Sequence, residues 1–344
     1  MYPAAVPKDD NPFIPILVNA LRANGVEVSN FRPFVPVVGT PEVLHLHWLE
    51  KIFWGPLAQR LPYFPEWQAE LLVRVARRVC RAGGKVVWTV HNLAPHDVLC
   101  SPQKKLWGAM LTSLLPSVTD VVVMSESSSP LVRSTYPALT NAQFHVVPHP
   151  HYIGYFASRR SDTNIRAKLG ISTGTPFFVC AGKMRPYKQI VEIIRLLRED
   201  STVDFRLLIA GDGDEHYCNL IKKEIASDAR FTFDNRVIPE SELADYLSSA
   251  DAAIFNFASI LNSGSVLTAL SLGTPVLCPR AGALTELAAA VGPDWVRAYE
   301  GSLTSEWLMR NLAELTRPTS SRPDLEFLSP QNVARSYAKI YRSR

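Results

Sequence analysis

The chain has 344 residues, 47% hydrophobic and 20% charged, with a formal net charge of +4. That is apolar enough to bury a core in each of about two domains, and too evenly charged for a disordered polymer or a general nucleic-acid binder. Its 17 Gly and 26 Pro are scattered, which excludes a collagen-like chain, and no run approaches the ~18 apolar residues of a membrane span.

Residues 1–12 have neither the basic nor the apolar region of a secretory signal. They are also too short and Pro-rich to supply the strand that usually opens a Rossmann-like domain. The expectation is a vestigial strand or a longer native N-terminus. Strands are expected at Val43–His47, Lys85–Val90, Asp120–Ser125, Phe144–Pro148, Phe177–Ala181, Phe205–Ala210, Arg230–Asp234, Ala252–Asn256 and Pro275–Cys278. Most are continuous apolar runs, the pattern of strands covered on both faces. Helices are expected between them at Ile14–Asn24, Glu66–Ala82, Lys104–Leu114, Lys188–Glu199, Glu215–Ala226, Glu240–Ser249, Ser265–Leu272 and Leu284–Val291, with a last one at Pro330–Tyr341. This rhythm gives an α/β class, doubly wound on parallel sheets. A polar break across Pro148–Gly174 divides it into two Rossmann-like domains, 1–155 and 156–328, facing a cleft. Residues 329–344 form a helix expected to pack back on the first domain. Five widely spaced Cys without a C-x-x-C read as buried thiols in a reducing cytosol.

In the second half, Gly182-Lys183-Met184-Arg185-Pro186-Tyr187-Lys188 runs from a strand end into a helix. Helix starts attract anions, and Lys183, Arg185 and Lys188 add charge-assisted bonds to phosphate. Asn262-Ser263-Gly264-Ser265 leads into a second apolar helix, where small capping residues expose backbone amides. Together the two segments form a diphosphate clamp. Gly211-Asp212-Gly213-Asp214 has the look of a D-x-D metal motif, but a turn with Asp at a helix start is the preferred reading, and no metal is expected.

In the first half, His45-Leu46-His47-Trp48-Leu49-Glu50 ends one strand and His91-Asn92-Leu93-Ala94-Pro95-His96-Asp97 follows another. His45 and His47 share a strand face by period two. No zinc spacing accompanies them, so a polar site is expected, with Asp97, Glu50 and His91 as general-base candidates. From Lys51 to Lys105 nine cations face three acids, with Phe53, Trp54, Tyr63, Phe64, Trp67 and Trp107 interleaved. That composition suits an anionic membrane interface or a lipid pyrophosphate.

The whole resembles the GT-B glycosyltransferases. Gly182–Lys188, Leu208-Ile209-Ala210-Gly211-Asp212-Gly213 and Leu272-Gly273-Thr274-Pro275-Val276 look like the nucleotide-sugar half of glycosyltransferase family four. Two Glu normally found there are replaced by Ile260 and Thr268, which sets the chain apart from that family's retaining chemistry. A closer resemblance is to the inverting β-mannosyltransferases of xanthan-type exopolysaccharide assembly. It rests on Asn11-Pro12-Phe13, Leu44-His45-Leu46-His47-Trp48, His91–Asp97, Arg185-Pro186-Tyr187-Lys188, Asn262-Ser263-Gly264, Ala269-Leu270-Ser271-Leu272 and Val291-Gly292-Pro293-Asp294-Trp295, in order along nearly the whole chain. The resemblance implies GDP-mannose as donor, a lipid-diphosphate oligosaccharide as acceptor, and a peripheral place on the inner face of the bacterial plasma membrane. On this reading Asn262 orients the donor, and Glu286 and Asp212 hold its ribose or sugar. His45, His47, Trp48, Asn11, Asn92 and His96 meet the acceptor. A UDP-sugar donor, a nucleotide-sugar epimerase or phosphorylase on the same plan, and a non-catalytic nucleotide-sugar-binding subunit are the alternatives.

Overall fold

The computed structural model describes residues 1–2, 11–31, 40–53, 58, 60–61, 63–95, 100–159, 161, 163–199, 204–226, 228–314 and 322–343. The chain divides into two compact units, Met1–Pro150 with Phe327–Arg344, and His151–Glu326. The expected breaks lay after 155 and 328. Tyr152 enters the second unit early because it is buried there, with its amide on Ser271 Oγ at 2.9 Å.

The first unit carries a parallel sheet of β1 (Val43–Leu46), β2 (Lys85–Thr89), β3 (Asp120–Val123) and β4 (Gln143–Val146), in that spatial order. Its helices are α1 (Phe13–Ala23), α2 (Phe64–Arg81), α3 (Ser101–Leu114) and α4 (Ser128–Thr135). Tyr2 forms a parallel bridge to Leu46, donating its amide to the His45 carbonyl and accepting from the His47 amide. Among the described residues, the N-terminal segment meets the edge of β1 through this bridge.

The second unit carries β5 (Phe177–Ala181), β6 (Arg206–Ala210), β7 (Phe231–Asp234), β8 (Ala252–Ile254), β9 (Val276–Pro279) and β10 (Val296–Tyr299), all parallel. Their spatial order is β10-β9-β8-β5-β6-β7. The order reverses between β5 and β8, the switch point where doubly wound sheets take ligands. The accompanying helices are α5 (Ile153–Ala157), α6 (Ile165–Lys168), α7 (Ile190–Arg198), α8 (Glu215–Ile225), α9 (Glu240–Ser249), α10 (Gly264–Ser271), α11 (Ala283–Val291) and α12 (Ser305–Ala313). Helix α7 buries Ile190, Val191, Ile193, Ile194 and Leu197 against the sheet. At about 1.5–3 kcal/mol for each such side chain, this seam anchors the loop before it. The final helix, α13 (Pro330–Arg342), packs on α1 through Val333, Ala334, Tyr337 and Ile340.

Several elements depart from the expected ones. Strand β10 was not expected: it is a four-residue edge strand with half-buried Arg297 and Ala298, so it lacks an apolar run. Short α4, α5 and α6, and α12, were likewise unread. Helix α7 begins at Ile190 rather than Lys188, because Pro186–Lys188 forms a 3-10 turn and Gln189 takes a left-handed φ of 48°.

Candidate functional site

In the first unit the strand ends gather four histidines around Phe13, at the start of α1. The Phe13 ring meets those of His47, His91 and His149 edge-on, with centroids 5.6, 4.8 and 4.9 Å apart. His47 and His45 lie 4.1 Å apart by centroid, on the shared strand face. His47 Nδ1 and His91 Nε2 are 3.0 Å apart in one hydrogen bond, and Trp48 stacks on His91 at 3.8 Å. Burial pushes the pKa of His45, His47 and His91 well below the ordinary 6.5 and that of His149 down to about 4, so all four are neutral near pH 7. Beside them His47, Trp48, Leu49, Glu50, Trp88, His91, Asn92, Ala94 and Trp107 line a cavity of about 10 Å³, far too small for a sugar as it stands. Glu50 reaches it from a 3-10 turn, Leu49–Phe53.

This arrangement changes two of the expected roles. His45 is 2% exposed, and both its ring nitrogens are taken: Nε2 by Thr89 Oγ1 at 2.8 Å and Nδ1 by Tyr341 OH at 2.6 Å. It is a strut between β1 and α13, with both ring nitrogens engaged inside the unit rather than offered to an acceptor. His91 is enclosed, and a strongly depressed pKa makes it a weak base, since proton transfer is favoured by a pKa near the working pH. Its place is that of a cavity wall. Asn11 Oδ1 accepts the Phe13 amide at 3.0 Å, at the start of α1. Asp97 and His96 lie outside the described residues. Replacing Tyr341 by Phe is expected to leave His45 Nδ1 unpaired and to cost about 1–3 kcal/mol, seen as a lower Tm, with transfer per folded molecule unchanged. A loss of transfer larger than the loss of stability would return His45 to the chemistry.

In the second unit the candidate clamp assembles at the β5–β8 switch point. Gly182 continues β5 by donating to the Ala210 carbonyl, and Met184 donates to the Asp212 carbonyl at 2.7 Å. The approach is backbone on backbone: a Cβ on Gly211 would lie 2.1 Å from the Gly182 oxygen, at a φ of 148° that disfavours any side chain. The loop is thereby turned so that Lys188 comes back over it. A Cβ on Gly182 would lie 2.9 Å from Lys188 Nζ and 3.7 Å from Ser265 Oγ. Lys188 is 7% exposed, with no carboxylate against it among the described residues. Burial holds its pKa down at about 8. Ser263 Oγ accepts the Val266 amide as the N-cap of α10. Asn262 is half-buried just before it. The Gly264 and Ser265 amides belong to the first turn, where amides lack intrahelical partners. The far side is tied by the Ala258 amide donating to the Tyr187 carbonyl at 2.8 Å and by Tyr187 stacked on Phe257. Gly282, with φ 53°, is packed so closely that a Cβ would sit 2.7 Å from the Ile260 oxygen; this sets the first turn of α11, with Glu286, beside the same segment.

Other members of the clamp stand differently from the expectation. Lys183 pairs with Asp212 at 2.7 and 2.8 Å in an exposed ion pair, so these two expected ligand contacts engage each other. Asp214 Oδ1 accepts the Tyr217 amide as the N-cap of α8, the turn role expected of that Asp. Arg185 is half-buried beside them. The start of α7 does not offer its amides: Tyr217 OH accepts from the Ile190 amide at 2.7 Å. Sequence reasoning missed Tyr217 and Phe13. The Asp214-x-x-Tyr217 spacing was the available signal for the first, since a cap three residues earlier places that phenol at the strand-end edge.

Residues 175–298 match the family model described as Glycosyl transferases group 1. The chain is 27% identical over 334 residues, 96% of its length and 88% of the relative's, to the GDP-mannose:glycolipid 4-beta-D-mannosyltransferase of Xanthomonas campestris pv. campestris. Among solved structures it is similar to AviGT4, a glycosyltransferase involved in avilamycin A biosynthesis (TM-score 0.56, 20% identity, 96% of this chain and 88% of that one). It is similar too to Anabaena Alr3699/HepE in complex with UDP (TM-score 0.54, 14% identity, 79% of this chain and 72% of that one). These likenesses bear out the sequence resemblance and the α/β GT-B class, and they agree on a glycosyltransferase.

Proposed function

We propose that this glycosyltransferase of the GT-B plan moves mannose from GDP-mannose, with inversion to a β-linkage, onto a lipid-diphosphate-linked oligosaccharide of bacterial exopolysaccharide assembly. The observation that carries the reading is the likeness, over 96% of the chain, to a relative named for GDP-mannose, glycolipid and a 4-β-D-mannosyl product. The UDP-bearing neighbour, at 14% identity, speaks only for the fold. The acceptor hydroxyl attacks the anomeric carbon as the bond to the diphosphate breaks, and its proton passes to a carboxylate, Asp97 first and Glu50 second. GDP leaves with one more negative charge than its diphosphate carried in GDP-mannose, and that charge has to be matched. Lys188 and the Gly264 and Ser265 amides supply that match in this reading, with Lys183 drawn off Asp212 and Arg185 beside it, and no metal is required. Asn262 and Glu286 hold the donor's sugar side, and Asn92, His47 and Trp48 lie toward the acceptor. No helix among the described residues is long and apolar enough to cross a membrane. In this reading the enzyme meets its lipid acceptor as a peripheral protein at the inner face of the plasma membrane.

GDP and GDP-mannose are expected to raise the apparent Tm of the protein, by mass action, more than UDP and UDP-sugars at equal concentration. Incubation of GDP-mannose with a detergent-solubilised lipid-diphosphate oligosaccharide should then yield the mannosylated lipid. Stabilisation by UDP-sugars alone overturns the donor. Binding without turnover on any acceptor favours a nucleotide-sugar-binding subunit.

A further inference from the structure

Helices α1 and α13 form a layer without a carboxylate. Phe13–Ala23 and Pro330–Arg342 hold Arg22, Arg335, Lys339 and Arg342, and no Asp or Glu. Their apolar sides pack together through Leu17, Leu21, Val333 and Tyr337. Where α13 passes the end of α1, Asn24, Arg335, Ala338, Lys339, Arg342 and Ser343 line a groove of about 410 Å³. That volume lies within the range of small-ligand sites. The groove stands a helix length, about 16 Å, from Phe13 and the histidines at the other end of α1.

Arg335, Lys339 and Arg342 fall at i, i+4 and i+7, so they share one side of α13 and spread over about 10 Å of its axis. All three are exposed. Like charges at these spacings repel, and among the described residues no carboxylate pairs with any of them. Arg335 Nη2 donates to Asn332 Oδ1, and Arg342 Nη2 donates to the Asn24 carbonyl at 3.4 Å. Both partners are neutral oxygens and leave the charges unmatched. The helix dipole favours Lys339 and Arg342 in the last turn, but its effect fades within that turn and does not reach Arg335, two turns earlier. The floor is small and neutral. Ala338 is buried, and Ser343 Oγ donates to the Ile340 carbonyl while accepting from Lys85 Nζ, whose own charge is met by Asp120.

We infer that the groove between the end of α1 and α13 binds a soluble small molecule with two or more linked phosphoryl groups. The phosphoryl groups lie along Arg335, Lys339 and Arg342, and the rest of the molecule rests on Ala338 and the aliphatic stems of the three cations. A guanidinium takes two oxygens of one phosphate, and an ammonium adds a point charge. Two guanidiniums with an ammonium between them, over about 10 Å, match a short chain of phosphoryl groups better than a single carboxylate. The site is separate from the Lys188 clamp, which belongs to the other unit, and it goes beyond the proposed transfer without depending on it.

The test is calorimetric titration of the full-length protein with inorganic tripolyphosphate, in saturating GDP and again with the K188M variant, so that the donor clamp is either filled or disabled. A binding event is expected to persist in both and to weaken as salt is added. R335Q and K339Q, each checked by circular dichroism, should bind about tenfold more weakly, the worth of one charge-assisted hydrogen bond, while the control R74Q binds as wild type. Loss of binding when GDP is present and in K188M overturns the site, as does undiminished binding in R335Q/K339Q. Association with phosphatidylglycerol vesicles but not with the soluble anion assigns the groove to lipid headgroups and overturns it as well. GDP affinity and transfer are read separately: their absence in wild type faults the proposed reaction and leaves the K188M titration standing.

Discussion

Replacing Lys188 by Met is expected to cut transfer by about 10²–10³-fold and to weaken donor binding, while making the ligand-free protein more stable. The two effects have one cause. Burial holds the Lys188 pKa at about 8 against an ordinary 10.5, so the folded state carries a charge it would rather shed. Below about pH 8 the lysine is protonated in both folded and unfolded chains, and the full penalty is present. Between about 8 and 10.5 it fades, and above 10.5 it is gone. The interval corresponds to about 3 kcal/mol, and Met keeps most of the side chain's packing while removing the charge. Urea unfolding should therefore favour the variant at pH 7, with the advantage shrinking as pH rises toward 10.5. For the wild type, donor affinity should fall as pH rises through about 8, because the neutral amine no longer meets the diphosphate. Near-wild-type kinetics with GDP-mannose would remove Lys188 from the clamp.

Changing Asp97 to Asn is expected to abolish transfer while leaving GDP affinity intact, the mark of a group that acts on the acceptor's proton and not on donor binding. Loss of a general base costs about 10²–10⁴-fold. Retained transfer in that variant passes the role to Glu50, and Glu50→Gln then becomes the inactive protein. His91 stands third for a structural reason: its Nε2 is engaged by His47, and burial leaves it little affinity for a proton.

The sequence was legible wherever a continuous apolar run met a turn. The nine expected strands all exist within a residue or two of their expected positions; most are buried parallel strands, which leave no polar alternation to misread, while β4 and β7 are the more exposed exceptions. The tenth failed for the converse reason: Val296–Tyr299 has half-buried Arg297 and Ala298 at its centre and no apolar run to register. At the donor side the Lys188 and Ser265 juxtaposition followed from two separate strand–helix turns, so it was legible without tertiary knowledge. What the chain hid was competition among neighbours. Asp212 faces Lys183, and the Tyr217 hydroxyl holds the α7 amides, because strands β5 and β6 lie side by side, a fact no local spacing encodes. His45 hid in the same way, its partners Thr89 and Tyr341 lying 44 and 296 positions away.

The pairing of α13 with α1 has a consequence for biosynthesis. The second unit is one uninterrupted stretch, His151–Glu326, whereas the core of the first includes Val333, Ala334, Tyr337 and Ile340 together with Phe13 and Leu17. On the ribosome the nucleotide-sugar half has all its residues by position 326, while the half with the histidine cluster still lacks its closing helix. Folding of the earlier-synthesised half therefore waits for α13, and until that helix emerges its apolar α1 face is the exposed surface for which a chaperone would compete.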